Sequence, residues 1–205
     1  MYNFVYEKPN TLEEVEKILN ENEESKILAG GQTLIPTMKQ RLASPSTLID
    51  ISDINELNFI NDNGDTITIG ATTTHNEVLS SDIIKNKIPS LAALAEGIGD
   101  PHVRNMGTIG GSISNNDPTA DYPCACLSLK AKIKTNKKEI SAEDFFVGLF
   151  ETALEENEIV ISVEFCIPQK ASYMKFPNPA SRYAMAGVYV AVFHDGINVS
   201  VTGAS

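Results

Sequence analysis

Apolar residues recur at helical spacing behind Thr11-Leu12-Glu13-Glu14, where Leu12, Val15, Ile18 and Leu19 would share one face. Thr11 followed three residues later by Glu14 reads as a capping box. A short apolar run, Ser25 to Ala29, stops at Gly30-Gly31, which predicts a strand ending in a turn. Thr33 is placed to cap a helix over 34–42, with Pro36 in a first turn whose N–H groups have no helical partners. Thr47 to Ile51 predicts another strand, so residues 1–55 read as a small βαβ-like lobe.

The pattern changes from residue 56. Asp62-Asn63-Gly64-Asp65 is turn chemistry between expected strands at 57–60 and 66–70. Thr74 to Glu77 repeats the capping box, and Ser90 opens a helix carrying Leu91, Leu94, Ala95 and Ile98 on one side. Strands are expected at 109–113, 127–133 and 159–167, with Ser141 capping a helix over 142–146. A closing hairpin, 187–193 with 198–202, turns at Asp195-Gly196. The mixture predicts an α+β chain of two lobes, the second spanning 56–170 with a mixed or antiparallel sheet and helices.

Composition narrows the function. The 205 residues are 42% hydrophobic and 21% charged, enough for a folded core. A formal charge of -11 and no Lys/Arg cluster argue against nucleic acid as a partner. No apolar run approaches bilayer length and the N-terminus lacks a signal-peptide pattern, so the cytoplasm is the expected location. Cys124, Cys126 and Cys166 are odd in number and wrongly spaced for common zinc or redox sites, and read as buried reduced thiols. His75, His102 and His194 are scattered, so no metal site is expected.

Two glycine turns carry the candidate chemistry. Ala29-Gly30-Gly31-Gln32-Thr33 lies between a strand and a helix, where paired glycines permit positive φ and close backbone approach and the helix start offers free N–H groups. Thr108-Ile109-Gly110-Gly111-Ser112 again sets hydroxyls beside paired glycines. Facing each other, the two loops would hold a diphosphate from both sides. A single Gly-Gly pair favours a plain tight turn; two such loops, each beside Ser or Thr donors, bring the two readings closer to level. Standard P-loop and Gly-x-Gly-x-x-Gly motifs are absent. Asp117 or Asp121 could accept hydrogen bonds from ribose hydroxyls, and Arg104 reads as a structural ion pair. Valine at Gly31 or Gly110 is expected to abolish ligand retention without unfolding the chain.

The segments Leu28 to Lys39 and Asp100 to Gly111 resemble the first and second FAD-binding segments of molybdenum hydroxylase flavoproteins, the xanthine and aerobic carbon monoxide dehydrogenase family. The resemblance runs over almost the whole chain. It implies a two-lobed FAD-binding fold of the vanillyl-alcohol-oxidase (PCMH) type, with FAD extended between the lobes. It implies that Ala29 to Thr33 and Thr108 to Ser112 bind the diphosphate and its surroundings, and that Asp121 contacts the cofactor. Ile98 is implied near the flavin or adenine end, Ile159 and Val160 as an apolar pair touching the cofactor, and Lys175 and Tyr183 near the isoalloxazine ring. Ser112 stands where the family usually has Asn. The family normally continues into a C-terminal α+β domain, of which 171–205 would be the start, so most of that domain is missing from this sequence.

The resemblance also implies a role. The chain would be the FAD-binding electron-transfer subunit of a hetero-oligomer, a dimer of heterotrimers with an iron–sulfur subunit and a molybdopterin-binding large subunit. Electrons would pass from the clusters through FAD to a quinone, NAD or another acceptor, without a catalytic side chain on this polypeptide. Two rival readings stand beside it: a self-contained flavin oxidoreductase of the same fold, and a cofactor-free assembly or interaction subunit.

Overall fold

The computed structural model describes residues 1–204. Strand β1 (Val5–Glu7) leads into helix α1 (Leu12–Glu21), strand β2 (Ser25–Leu28), helix α2 (Leu34–Lys39) and strand β3 (Thr47–Asp50). The three strands form a parallel sheet in the order β1-β3-β2. Thr11 accepts the Glu14 N–H as expected, while the Glu14 carboxylate takes the N–H of Asn10. Val15 and Leu19 from α1 pack on Ile49, Ile51, Ile54 and Leu57 in a small core that also takes in Ile159 from far along the chain.

Strands β4 (Ile60–Asp62) and β5 (Thr66–Gly70) follow, then helices α3 (His75–Ser80), α4 (Asp82–Lys87), α5 (Pro89–Glu96), α6 (Pro101–Met106), α7 (Ile109–Asn115) and α8 (Tyr122–Ser128). Strands β6 (Lys132–Thr135) and β7 (Glu139–Ser141), helix α9 (Ala142–Phe145), the short pair β8 (Phe146–Gly148) and β9 (Glu151–Thr152), and β10 (Val160–Cys166) complete this part. An antiparallel sheet runs β4-β5-β10-β6-β7. Its buried face supplies Ile67, Ile69, Val163 and Phe165 to the main core, where they meet Val78, Leu91, Ile113 and Tyr122. The chain ends in an antiparallel meander, β11 (Lys170–Pro177), β12 (Ala184–Phe193) and β13 (Gly196–Thr202). Tyr189 of β12 is buried in the main core, and its hydroxyl lies 2.6 Å from the Ser90 hydroxyl.

Several local expectations give way. Residues 109–115 are helical, because Thr108 caps the turn by accepting the Gly111 N–H at 3.1 Å and Ile109 and Ile113 then fall on one buried face. Of the stretch 127–133 only Lys132 and Ile133 are strand, the start of β6; the rest is the end of α8 and a turn, and Tyr122, Ala125, Cys126 and Leu129 are all buried, which is a helical spacing. Residues 55–57 form a 3-10 turn rather than the start of a strand. Helix α2 is shorter than expected, and Thr33 makes no capping bond. Helix α5 starts at Pro89, with Ser90 turned inward. Cys124 and Cys126 are buried, whereas Cys166 is only half-buried. Strand β11 was not anticipated at all. The hairpin at Asp195-Gly196 and the capping box at Thr74 form as expected.

Candidate functional site

The two glycine loops meet. A Cβ built on Gly30 would lie 1.9 Å from the Met106 carbonyl oxygen and 2.7 Å from the Gly107 Cα, so the first loop rests its backbone directly on the approach to the second. Both loops open onto one cleft of about 820 Å³. Around it the structure brings together Ala29, Gly30, Gly31, Gln32, Thr33, Ile98, Thr108, Gly110, Gly111, Ser112, Asp121, Ile159, Val160 and Tyr183 from the sequence-derived set. Ile109 and Lys175 stand apart. The Ile109 side chain is buried in the main core and its N–H donates to the Thr73 carbonyl. Lys175 borders a smaller cavity beside Gly97 and Arg182.

The loops offer different chemistry. In the first, the N–H groups of Gly30, Gly31, Gln32, Thr33 and Leu34 have no hydrogen-bond partner among the described residues. Gly31 has φ +69, which turns the chain sharply at that point. Successive unpaired N–H groups on a concave backbone make an anion cradle. In the second loop most donors are already used. The Gly110 N–H donates to the Ala71 carbonyl at 2.9 Å, and the Gly111 N–H goes to Thr108.

The glycines of the second loop also divide their work. A Cβ on Gly110 would come within 2.6 Å of the Ala71 oxygen and 2.7 Å of its Cβ, so this glycine lets the chain pack on itself. Valine there would disturb the fold, contrary to the expectation from sequence. At Gly111 the one neighbour beyond the helix's own backbone is the Thr108 hydroxyl at 3.0 Å, the end of a side chain that can shift, so a Cβ at this point of the cleft wall meets no other backbone.

Asp121 lies at the cleft edge with 5% of its side chain exposed. Its Oδ2 accepts from Lys175 Nζ at 2.9 Å, and its Oδ1 accepts from the Tyr173 hydroxyl in a short hydrogen bond. Lys175 donates as well to the Gly97 carbonyl at 3.1 Å. Burial pushes the Asp121 carboxyl above its ordinary value, while the Lys175 charge and the Tyr173 hydroxyl pull it back. Lys175 thus ties β11 to the start of α8 and the end of α5. Tyr183 also borders the cleft, where burial and then the Asp117 charge raise its phenol and the Thr33 hydroxyl draws it down. Among the described residues Arg104 binds no acid; its guanidinium donates to the Ile98 and Gly99 carbonyls, both at 3.0 Å.

Sequence reasoning missed His75 and Tyr173. His75 borders the cleft, and burial, with the nearby Arg104 charge second, lowers its imidazole from 6.5 to about 4. The capping box marked the start of α3 but did not show which way its first side chain points.

A cleft between a parallel three-stranded lobe and an antiparallel five-stranded lobe, lined by two abutting glycine loops, defines a binder of an extended diphosphate-bridged ligand. The cradle of free N–H groups and the bare Gly111 fit such a ligand. Residues 2–169 match the family described as the FAD binding domain in molybdopterin dehydrogenase. The glyceraldehyde dehydrogenase medium chain of Sulfolobus acidocaldarius is 40% identical over 195 residues, covering 92% of this chain and 69% of that protein. The carbon monoxide dehydrogenase medium chain of Hydrogenophaga pseudoflava is 37% identical, covering 96% of this chain and 71% of that one. A solved structure of carbon monoxide dehydrogenase from Hydrogenophaga pseudoflava superposes with a TM-score of 0.93 at 35% identity, over 98% of this chain and 75% of the other. The chain belongs to the family of FAD-binding subunits of molybdenum hydroxylases; its cofactor is FAD and it is an oxidoreductase subunit.

Proposed function

We propose that this chain is the electron-transfer flavoprotein of a molybdenum hydroxylase complex, working with an iron–sulfur subunit and a molybdopterin-binding large subunit as a dimer of heterotrimers. The single observation that carries the reading is the contact of Gly30 with Met106 and Gly107, which sets two glycine loops on one cleft with an unfilled row of N–H donors. FAD held in this cleft would supply the redox chemistry linking clusters on a partner to a quinone, NAD or another acceptor.

The chain's own residues bind and orient. The N–H groups of Gly30 to Leu34 hold diphosphate oxygens, and Thr108, Gly111 and Ser112 close on the other side. Ile98, Ile159 and Val160 give apolar cover, and Tyr183 limits access at the rim. Asp121 is fixed by Lys175 and Tyr173, so Lys175 acts through Asp121 rather than by direct contact. Names of relatives such as the glyceraldehyde and carbon monoxide dehydrogenase medium chains and a caffeine dehydrogenase subunit support the assembly with partners. Among the described residues no helix is long and apolar enough to cross a membrane.

The test is the visible absorption spectrum of the purified chain. The expected result is uptake of added FAD, with flavin bands that bleach only when partner subunits and substrate are present. A colourless protein that takes up no FAD would favour a cofactor-free interaction subunit, and bleaching by a small substrate alone would favour a self-contained oxidoreductase; either outcome overturns the proposal.

A further inference from the structure

His75 is the first residue of α3 and borders the cleft at the seam between the glycine loops. Its N–H donates to the Gly107 carbonyl at 2.9 Å, and the absence of a Gly107 side chain makes room for its ring: a Cβ there would sit 2.7 Å from Nε2. His75 as a residue is 5% exposed, with Tyr122 on one side of its ring at 5.4 Å between ring centroids. Its Nδ1 is buried without a partner, and Nε2 has no hydrogen-bond partner among the described residues. Buried polar atoms are nearly always paired, so a buried histidine whose Nδ1 is orphaned and whose Nε2 is idle at the wall of a binding cleft points to a ligand on the Nε2 side.

The tautomer follows from cost. A neutral imidazole carries one N–H and one lone pair. An orphaned N–H is rarer in buried positions than an under-used acceptor. Nδ1 is the enclosed nitrogen, and Nε2 is the one beside Gly107 and the cleft. The proton therefore belongs on Nε2.

We propose that His75 is a cofactor-binding residue whose Nε2–H donates a hydrogen bond to the diphosphate of FAD, at the junction of the two glycine loops. The inference rests on the FAD reading of the cleft. It explains why a polar ring occupies a position where an apolar one would pack at less cost: Nε2 is unpaired only until the ligand arrives, while the enclosed Nδ1 is left as the cheaper, under-used acceptor.

The test compares His75→Leu and His75→Gln with the wild-type chain, measuring affinity for FAD and for ADP by calorimetry and the unfolding midpoint of the ligand-free protein. His75→Leu should weaken FAD and ADP alike, by roughly tenfold or more, the worth of a hydrogen bond to a charged acceptor. Its ligand-free midpoint should equal or exceed the wild type, since an unpaired buried group has been removed. His75→Gln, whose amide nitrogen reaches about as far as Nε2, should recover part of the affinity. Wild-type affinity in His75→Leu overturns the proposal while leaving the FAD reading intact. So does a loss for FAD without a loss for ADP, or a loss matched by a lower midpoint that glutamine does not relieve. Failure of the wild-type chain itself to take up FAD overturns both.

Discussion

Replacing Lys175 by Met should destabilise the chain sharply, and the loss should come from Asp121. The pair is closed off from water, with 8% of the Lys175 and 5% of the Asp121 side chain exposed. Removing the ammonium leaves a buried carboxylate with only the Tyr173 hydroxyl as donor. Breaking one side of a buried pair costs about 3–5 kcal/mol. For a chain of this size each kcal/mol lowers the midpoint by about 2–4 °C, so thermal unfolding at neutral pH should fall by roughly 6–20 °C. Adding Asp121→Asn should restore much of this, because a neutral amide no longer needs a cation. The pH dependence gives a second reading. Burial already raises the Asp121 carboxyl, and without Lys175 it rises further, so the penalty belongs to the ionised form. The stability gap between variant and wild type should be full at neutral pH and shrink as acid protonates Asp121. A loss under about 1 kcal/mol, or a double variant as unstable as the sum of the two single ones, would refute the reasoning.

Three further outcomes follow from the same geometry. Gly110→Ala should cost about 1–3 kcal/mol of stability because its Cβ meets the Ala71 backbone, whereas Gly111→Ala should unfold like the wild type; equal midpoints for the two would contradict the packing. His75 is held neutral in the fold, with its imidazole lowered from 6.5 to about 4, so it contributes stability above pH 6.5 that is lost as pH falls toward 4. The span is worth about 3 kcal/mol, and His75→Leu should flatten that part of the stability profile; parallel profiles would be inconsistent with a buried neutral ring. Asn116 holds a left-handed conformation at φ 44 and donates to the Gly148 and Glu151 carbonyls at 2.8 and 2.9 Å. Asn116→Ala should cost about 1–3 kcal/mol in chemical denaturation, and a change near zero would show that the β8–β9 turn does not depend on it.

Local signals in the sequence determined the parts of the fold that short-range chemistry controls. The capping residues at Thr11, Thr74 and Ser141, the turn at Asp195-Gly196 and the spacing of α1 act within a few residues, so they read correctly from the chain alone. The glycine loops were legible too, because Gly30-Gly31 and Gly110-Gly111 stand out as paired gaps in side-chain volume. Tertiary structure decided what those gaps are for. Only Gly31 takes positive φ; Gly30 and Gly110 are bare so that other backbone can lie against them, at Met106 and Ala71, and neither neighbour is visible from local sequence. The same holds for segment 109–113, where a β-like run of Ile and Gly became helix because Thr108 caps it and the main core accepts Ile109 and Ile113 on one side. His75, Lys175 and Tyr173 acquired their surroundings through contacts dozens of residues away. Capping and turn chemistry lie in the order of residues, but which side chains face the cleft and which are committed elsewhere depends on distances that only the folded chain sets.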